Sequence, residues 1–307
     1  MKISDNINGT PEPDDTSSYI WDEEQHNHTD LGNLSDRFTN IRKIYSSATN
    51  PTVLYSAMKF GKRYILKGIS TDFRTDPIQN IALSKEFEIG ISLDHPNIRR
   101  TISYEMIEDL GKVIVLEYVD GTSLKELLES GNILPEIARQ IVKQLASALE
   151  YIHRKQILHC DLKPSNILIS HQGSYVKIID FNLADSDSFM ILKHPGGTQN
   201  YIAPELINKS ASPSIASDIF SFGAIIKDLA DATKDSALKR IATQCTSVDP
   251  QKRPHSVDAI QFPDPDSAKY KSASNILSSK KLTYWLCAAC IILSAAIIYF
   301  INVKNLL

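Results

Sequence analysis

From residue 52 onward, apolar and polar side chains alternate as they do along half-buried strands. "TVLYSAMKFGKRYILKGI" (52–69) carries two β-rich runs around Lys59-Phe60-Gly61-Lys62, a hairpin signal. The next stretch, "DPIQNIALSKEFEIGISL" (76–93), changes to a helical pattern, with Asp76 placed to cap it and Pro77 in its first turn. Strand character returns in "TISYEMIED" (101–109) and "KVIVLEYV" (112–119), a pair turning at Asp109-Leu110-Gly111. Beyond it, helical spacing dominates. "SLKELLESG" is short and stops at Gly131, and the following run sets Ile137, Ile141, Leu145, Leu149 and Ile152 on one stripe. Two short strands follow, "ILIS" (167–170) and "VKIID" (176–180), and helical patterns return at 215–231, 236–246 and 256–261. A strand-rich half followed by a helix-rich half, without repeats, predicts an α+β domain of two lobes over 37–262.

The two ends differ from this domain and from each other. Residues 1–36 are rich in Asp, Glu, Asn, Ser and Thr, have little to bury, and predict a disordered, solvated tail. Trp21-Asp22-Glu23-Glu24 is its one candidate docking segment. No apolar run follows Met1-Lys2, so the start does not read as a signal peptide. Residues 263–281 read as a linker. Residues 282–303, "LTYWLCAACIILSAAIIYFINV", carry no charge. As a helix they would span about 33 Å, enough for a hydrocarbon core of about 30 Å. Tyr284, Trp285 and Tyr299 sit where amphipathic rings prefer to lie. Lys269, Lys271, Lys280 and Lys281 precede this segment and only Lys304 follows, which predicts a single-pass membrane protein with its domain in the cytoplasm. The short tail 304–307 leaves no expected sensor beyond the membrane. Cys287, Ala288 and Ala289 offer small residues for self-association of such helices.

Composition adds exclusions. The formal net charge of −3 shows no basic surplus for nucleic acid. The four cysteines, Cys160, Cys245, Cys287 and Cys290, form no metal spacing and predict a reducing compartment without a disulfide framework.

The chemistry concentrates in "ILHCDLKPSNILIS" (157–170), where His159, Asp161, Lys163 and Asn166 fall within eight positions. The stretch His159 to Asn166 resembles the protein-kinase catalytic loop H-R-D-L-x-x-x-N, with Cys160 in place of the arginine. "IIDFN" (178–182) resembles D-F-G, and "GTQNYIAPE" (197–205) resembles the segment ending in A-P-E. "SDIFSFG" (217–223) and "DPQKRP" (249–254) resemble later motifs of the same family. Lys67 in "YILKG" fits the β3 lysine, and Glu86 fits the glutamate of the following helix, nine residues before His95-Pro96-Asn97. Together these motifs resemble the Hanks-type serine/threonine protein kinases, whose fold is bilobal.

The resemblance implies ATP and Mg²⁺ as cofactors and proteins as substrates. It implies that Lys67, held by Glu86, contacts the α/β-phosphates, and that Asp180 and Asn166 hold the metal. Asp161 would accept the substrate hydroxyl proton and Lys163 would steady the γ-phosphate. Glu117-Tyr118-Val119, after Leu116, would form the hinge that meets adenine, under a ceiling provided by Val53. Lys163-Pro164 and Gly197-Thr198 favour Ser/Thr over Tyr as acceptor.

The chain also departs from the family pattern. "IYSSATNPTV" (44–53) stands where a glycine-rich loop would cover the phosphates; it has no glycine and looks one residue longer. Cys160 cannot pair with a phosphorylated loop as arginine does. Asn182 replaces the last glycine of D-F-G. Gly90 leaves an expected gap on the helix four residues after Glu86. The region between Gly223 and Arg253 is short, so a substrate-docking helix is expected to be trimmed, and Arg253 is expected to pair with Glu205. The reading is a membrane-anchored serine/threonine kinase; its rival is a pseudokinase that binds partners at the membrane without transfer.

Overall fold

The computed structural model describes residues 37–46, 51–171, 175–181 and 199–262. Within them the chain forms two lobes. The first is a five-stranded antiparallel sheet of β1 (Thr39–Ser46), β2 (Thr52–Lys59), β3 (Lys62–Ile69), β4 (Thr101–Ile107) and β5 (Gly111–Glu117), in the order β1-β2-β3-β5-β4. The β2–β3 hairpin turns at Phe60 and Gly61, both at positive φ (51° and 70°). That is the left-handed pair that matches the twist of the flanking strands. One helix, α1 (Pro77–Ile91), packs on the sheet, and Asp76 caps it by accepting from the Ile78 N–H at 2.8 Å.

The two faces of the sheet bury different sets. Ala57, Leu66, Val113 and Val115 pack on the outer face, while Ile65, Leu83, Ile114 and Leu116 pack on the face toward α1 and the cleft. Lys67 lies opposite Leu54 and Ile114 in the strand register, so its side chain shares that inner face.

The second lobe is helical. It holds α2 (Leu124–Ser130), α3 (Pro135–Arg154), α4 (Pro204–Ile207), α5 (Ile215–Thr233) and α6 (Ser236–Cys245), with a three-stranded antiparallel sheet β6 (Gly121–Ser123), β7 (Ile167–Ser170), β8 (Val176–Ile178). The expected stripe on α3 faces the core: Ile141, Leu145, Leu149 and Ile152 are fully buried and Ile137 is partly so. They meet Phe222, Ile225 and Leu229 of α5 in the same core.

Three expectations change here. Residues 256–261 form turns rather than a helix, with Val257 and Ile260 buried. Only Val257 and Ile260 of the stretch are buried, one turn apart, which bends and a single turn already achieve. The docking helix is not trimmed but missing among the described residues, because only Lys234 and Asp235 separate α5 from α6. Asp235 caps α6 and pairs with Arg139 Nε of α3 at 2.6 Å, which fixes this direct joint. Gly90 does not loosen α1, because its open side meets Thr101 at the edge of a small cavity bordered by Glu86 and Phe181. A Cβ there would stand 2.3 Å from Thr101 Oγ1 and 3.2 Å from its Cβ, so Thr101 of β4 occupies the space.

No helix among the described residues is long and apolar enough to cross a membrane. The tail 1–36, the linker 263–281, the membrane segment 282–303 and the short tail 304–307 lie outside the described residues.

Gly90→Ala should destabilise the chain by about 1–3 kcal/mol through overpacking against the stiff Thr101 rotamer. In a Thr101→Ala background the same change should be neutral or stabilising, because alanine is the better helix former by about 1 kcal/mol. Denaturant melts of the four proteins of this cycle check it; equal effects of Gly90→Ala in both backgrounds would refute the contact.

Candidate active site

Lys67 is the centre of the site. Its Nζ lies 2.7 Å from Glu86 Oε1 of α1 and 2.7 Å from Asp180 Oδ1 just after β8. Lys67 and Glu86 are buried. Burial opposes the ammonium, but the two carboxylates hold the Lys67 pKa above its ordinary value. Burial also works against the Asp180 carboxylate. Lys67, with Lys163 and Arg99 behind it, outweighs burial and holds Asp180 at about 2. Burial pushes Glu86 up against the pull of Lys67, and its Oε2 has no hydrogen-bond partner among the described residues. Both carboxylates thus face one ammonium at 2.7 Å.

The second group sits on the loop between α3 and β7. Asn166 spends both hydrogens of its amide on Asp161, one on the backbone carbonyl at 2.8 Å and one on Oδ2 at 3.0 Å. Lys163 Nζ stands 3.0 Å from the same Oδ2. The Asp161 carboxylate is only partly buried, and Lys163 and Asn166 hold it in one orientation.

Asp218 of α5 shapes this loop from below. It is buried and accepts from the backbone N–H of His159 (2.8 Å) and of Cys160 (2.9 Å), and it lies 2.9 Å from His153 Nε2. Two consecutive N–H groups converge on one carboxylate, and Cys160 itself adopts φ 62°, a conformation that costs a non-glycine residue energy. Burial disfavours the charge on Asp218, yet the hydrogen bond and charge of His153, with His159, hold its pKa below the usual range. Asp180 is likewise at positive φ, 69°. The buried His159 ring packs on Phe181 with centroids 5.0 Å apart, tying the two strained segments together.

Beside this polar centre runs an apolar slot. Its floor is the buried cluster of Val119, Leu168 and Ile179. Ile44, Leu54 and Ile65 line it from the sheet above, and Glu117, Tyr118 and Val119 close one edge. The wall expected at Val53 is a correction. Val53 pairs with Gly68 and packs toward Val113 on the outer face, while Leu54, one position on, shares the face of Lys67. Successive strand residues point to opposite faces, so a one-residue error moves a side chain across the sheet. Glu117 and Val119 do border the slot, but the Glu117 carboxylate is engaged by Lys177 Nζ (3.1 Å) and the Arg100 N–H (3.0 Å), so its side chain serves the wall. Strands β1 and β2 pair as far as Ser46 and Val53; residues 47–50 of the glycine-free turn lie outside the described residues, as do Asn182, Gly197 and Thr198.

At the far end of the lobe, Arg253 is buried and bonds Glu205 Oε1 at 2.6 Å and Oε2 at 2.8 Å, the pairing expected from sequence. It locks the A-P-E segment onto the helical lobe. Tyr201, four residues earlier, donates to Asp228 Oδ2 of α5 at 2.6 Å. Sequence reasoning missed Leu54, Asp218 as the loop's anchor, and Arg99. The first was recoverable by pairing residues outward from the two-residue turn Phe60-Gly61, which sets Leu54 opposite Lys67; the last had no motif to mark it.

The protein kinase domain family matches residues 50–234. The serine/threonine-protein kinase PrkC of Bacillus subtilis is 31% identical over 205 residues, covering 64% of this chain and 30% of that protein. Serine/threonine-protein kinase 36 of Pongo abelii is 37% identical over 154 residues, covering 49% of this chain and 11% of that protein. The chain thus spans less than a third of the length of these curated relatives. Among solved structures, the PknI kinase domain of Mycobacterium tuberculosis has a TM-score of 0.55 at 21% identity, covering 74% of this chain and 98% of that one. At that identity the likeness is one of fold.

Asp218→Ala should cost about 3 kcal/mol or more, since two buried N–H groups and His153 lose their acceptor. Because the Asp218 carboxyl is depressed in the folded state, its contribution is full above pH about 4 and is lost as pH falls through the folded value. Acid-unfolding curves of the two proteins should converge at low pH; curves that stay parallel would refute this role.

Proposed function

The chain belongs to the protein kinase family, and on that premise we propose that it transfers the γ-phosphoryl group of ATP to serine or threonine hydroxyls of protein substrates. The observation that carries this is the bridged lysine: Lys67 is held at 2.7 Å from both Glu86 and Asp180, on the sheet face whose Leu54 and Ile65 line the slot. The slot takes the adenine between Leu54 above and Leu168 below, with backbone groups of Glu117 and Val119 at its edge. Lys67 binds the α/β-phosphates, and Lys163 steadies the γ-phosphate as charge shifts. Asp161 Oδ accepts the proton of the substrate hydroxyl and aims that oxygen for in-line attack.

The donor set also fits a hard cation. Asp180 is ionised, and Asn166 has committed its N–H donors to Asp161, which leaves its amide oxygen as a ligand. Asp180 and Asn166 would hold Mg²⁺, which when bound neutralises phosphate charge. Anchoring of this domain at a membrane by residues 282–303, with the kinase on the cytoplasmic side, is part of the proposal and rests on the apolar run and its flanking lysines. The assembled lysine–carboxylate set favours transfer over the scaffold reading, since burying such charges is costly without a partner.

Full-length protein incubated with Mg²⁺ and ³²P-labelled ATP should label itself or a generic basic protein on Ser or Thr. Asp161→Ala should lower that rate by about 10²- to 10⁴-fold. Intact Mg·ATP binding without label would instead support the scaffold. Cys160 should free activity from a phosphorylated loop. Replacing Ser186 and Ser188 together by Ala, and Thr198 separately, should leave the serine variant active. Loss of activity that acidic replacements restore would show the opposite.

A further inference from the structure

Charge is split unevenly over the first part of the chain. Residues 1–36 carry nine acidic side chains and one lysine, a net charge of −8 in a chain whose total is −3. Residues 37–63 reverse this, with six basic side chains and no acidic one. They supply β1, β2 and the start of β3, which are neighbours on one side of the sheet.

The fold gathers part of this positive charge on the outer face. Tyr55 and Tyr64 pack there, over Ala57, Leu66, Val113 and Val115. Lys43 stands opposite Tyr55, and Lys62 opposite Lys59, two residues beyond Ala57; cross-strand partners share a face. Lys59 Nζ lies 4.6 Å from the centre of the Phe38 ring, 5.9 Å from that of Phe60 and 3.6 Å from Glu105 Oε1. Lys43 and Lys62 are exposed and have no ion-pair partner among the described residues. Phe38, Tyr55 and Tyr64 are half-buried, and Phe60 is 50% exposed. The face is an aromatic layer rimmed by ammonium groups.

Such a face fits a peptide that carries aromatic and acidic side chains together. Tyr19-Ile20-Trp21-Asp22-Glu23-Glu24 has that composition. Trp21 precedes Phe38 by 17 residues, a reach of up to about 55 Å, whereas a strand as long as β1 spans only about 26 Å. Exposed ion pairs contribute little singly, so burial of the indole has to supply the rest. Tethering lowers what is needed. At an effective concentration of about 1 mM, an intrinsic Kd of about 0.1 mM keeps such a segment docked roughly nine-tenths of the time.

We propose that residues 19–24 dock on the outer sheet face of the same molecule, with Trp21 on the aromatic layer and Asp22, Glu23 and Glu24 turned to the lysines.

Trp21 and Trp285 are the two tryptophans of the chain, so Trp285→Phe leaves Trp21 as a reporter. In that full-length protein, Trp21 emission should be blue-shifted and protected from acrylamide quenching at every protein concentration. Lys43→Glu with Lys62→Glu should move the emission to that of exposed tryptophan and remove the protection. Adding Asp22→Lys, Glu23→Lys and Glu24→Lys to the reversed face should restore it, which a folding defect would not allow. A Trp21 that is fully quenchable before any charge reversal overturns the proposal. So does protection that the reversal leaves unmoved, or that the swap fails to restore. Protection that rises with protein concentration assigns the segment to the face of a second copy and overturns docking within one molecule.

Discussion

A buried ammonium between two carboxylates is the constraint on which the rest of the site depends. An unpaired Lys67 at that depth would shed its proton or pull the lobe open. Glu86 meets it from α1 and Asp180 from the segment after β8, so one side chain joins a strand, a helix and the helical lobe. The same contact makes the alignment of the two lobes an electrostatic matter: α1 cannot move away from the sheet without stranding a charge.

Strain is spent around this centre in two places, and each is matched by a specific anchor. The left-handed residue Cys160 is held where its N–H and that of His159 both bond Asp218, and the left-handed residue Asp180 is held where its carboxylate bonds Lys67. The contact of His159 with Phe181 joins these two turns. Asp218 comes from α5, the most buried helix of the lobe, so the geometry of the reacting loop is set by the core rather than by the loop's own sequence.

The departures from family pattern fall into two kinds. Gly90 is compensated within the fold: Thr101 fills the place that a side chain would have taken, so α1 stays packed. Arg99 adds something instead, a positive charge on the wall shared by the slot and the inner cavity. The direct joint of α5 to α6 leaves no further helix between them among the described residues.

The sequence alone determined the two-lobed class, the identity of the charged residues and most of the element order, though not β1, β6 or the course of residues 256–261. Those depend on local spacing: a period of two for the strands, 3.6 for α3, and motif intervals that keep Asp161, Lys163 and Asn166 on one loop. Residues brought together from 113 positions apart, as Lys67 and Asp180 are, were legible only because the motifs are shared with a family. The face on which Val53 and Leu54 lie, the filling of Gly90 by Thr101, and the arrival of Arg99 between two cavities were decided by tertiary structure. Each depends on which strand or helix lies opposite, and pairing across the sheet is a property of the register, not of any one segment.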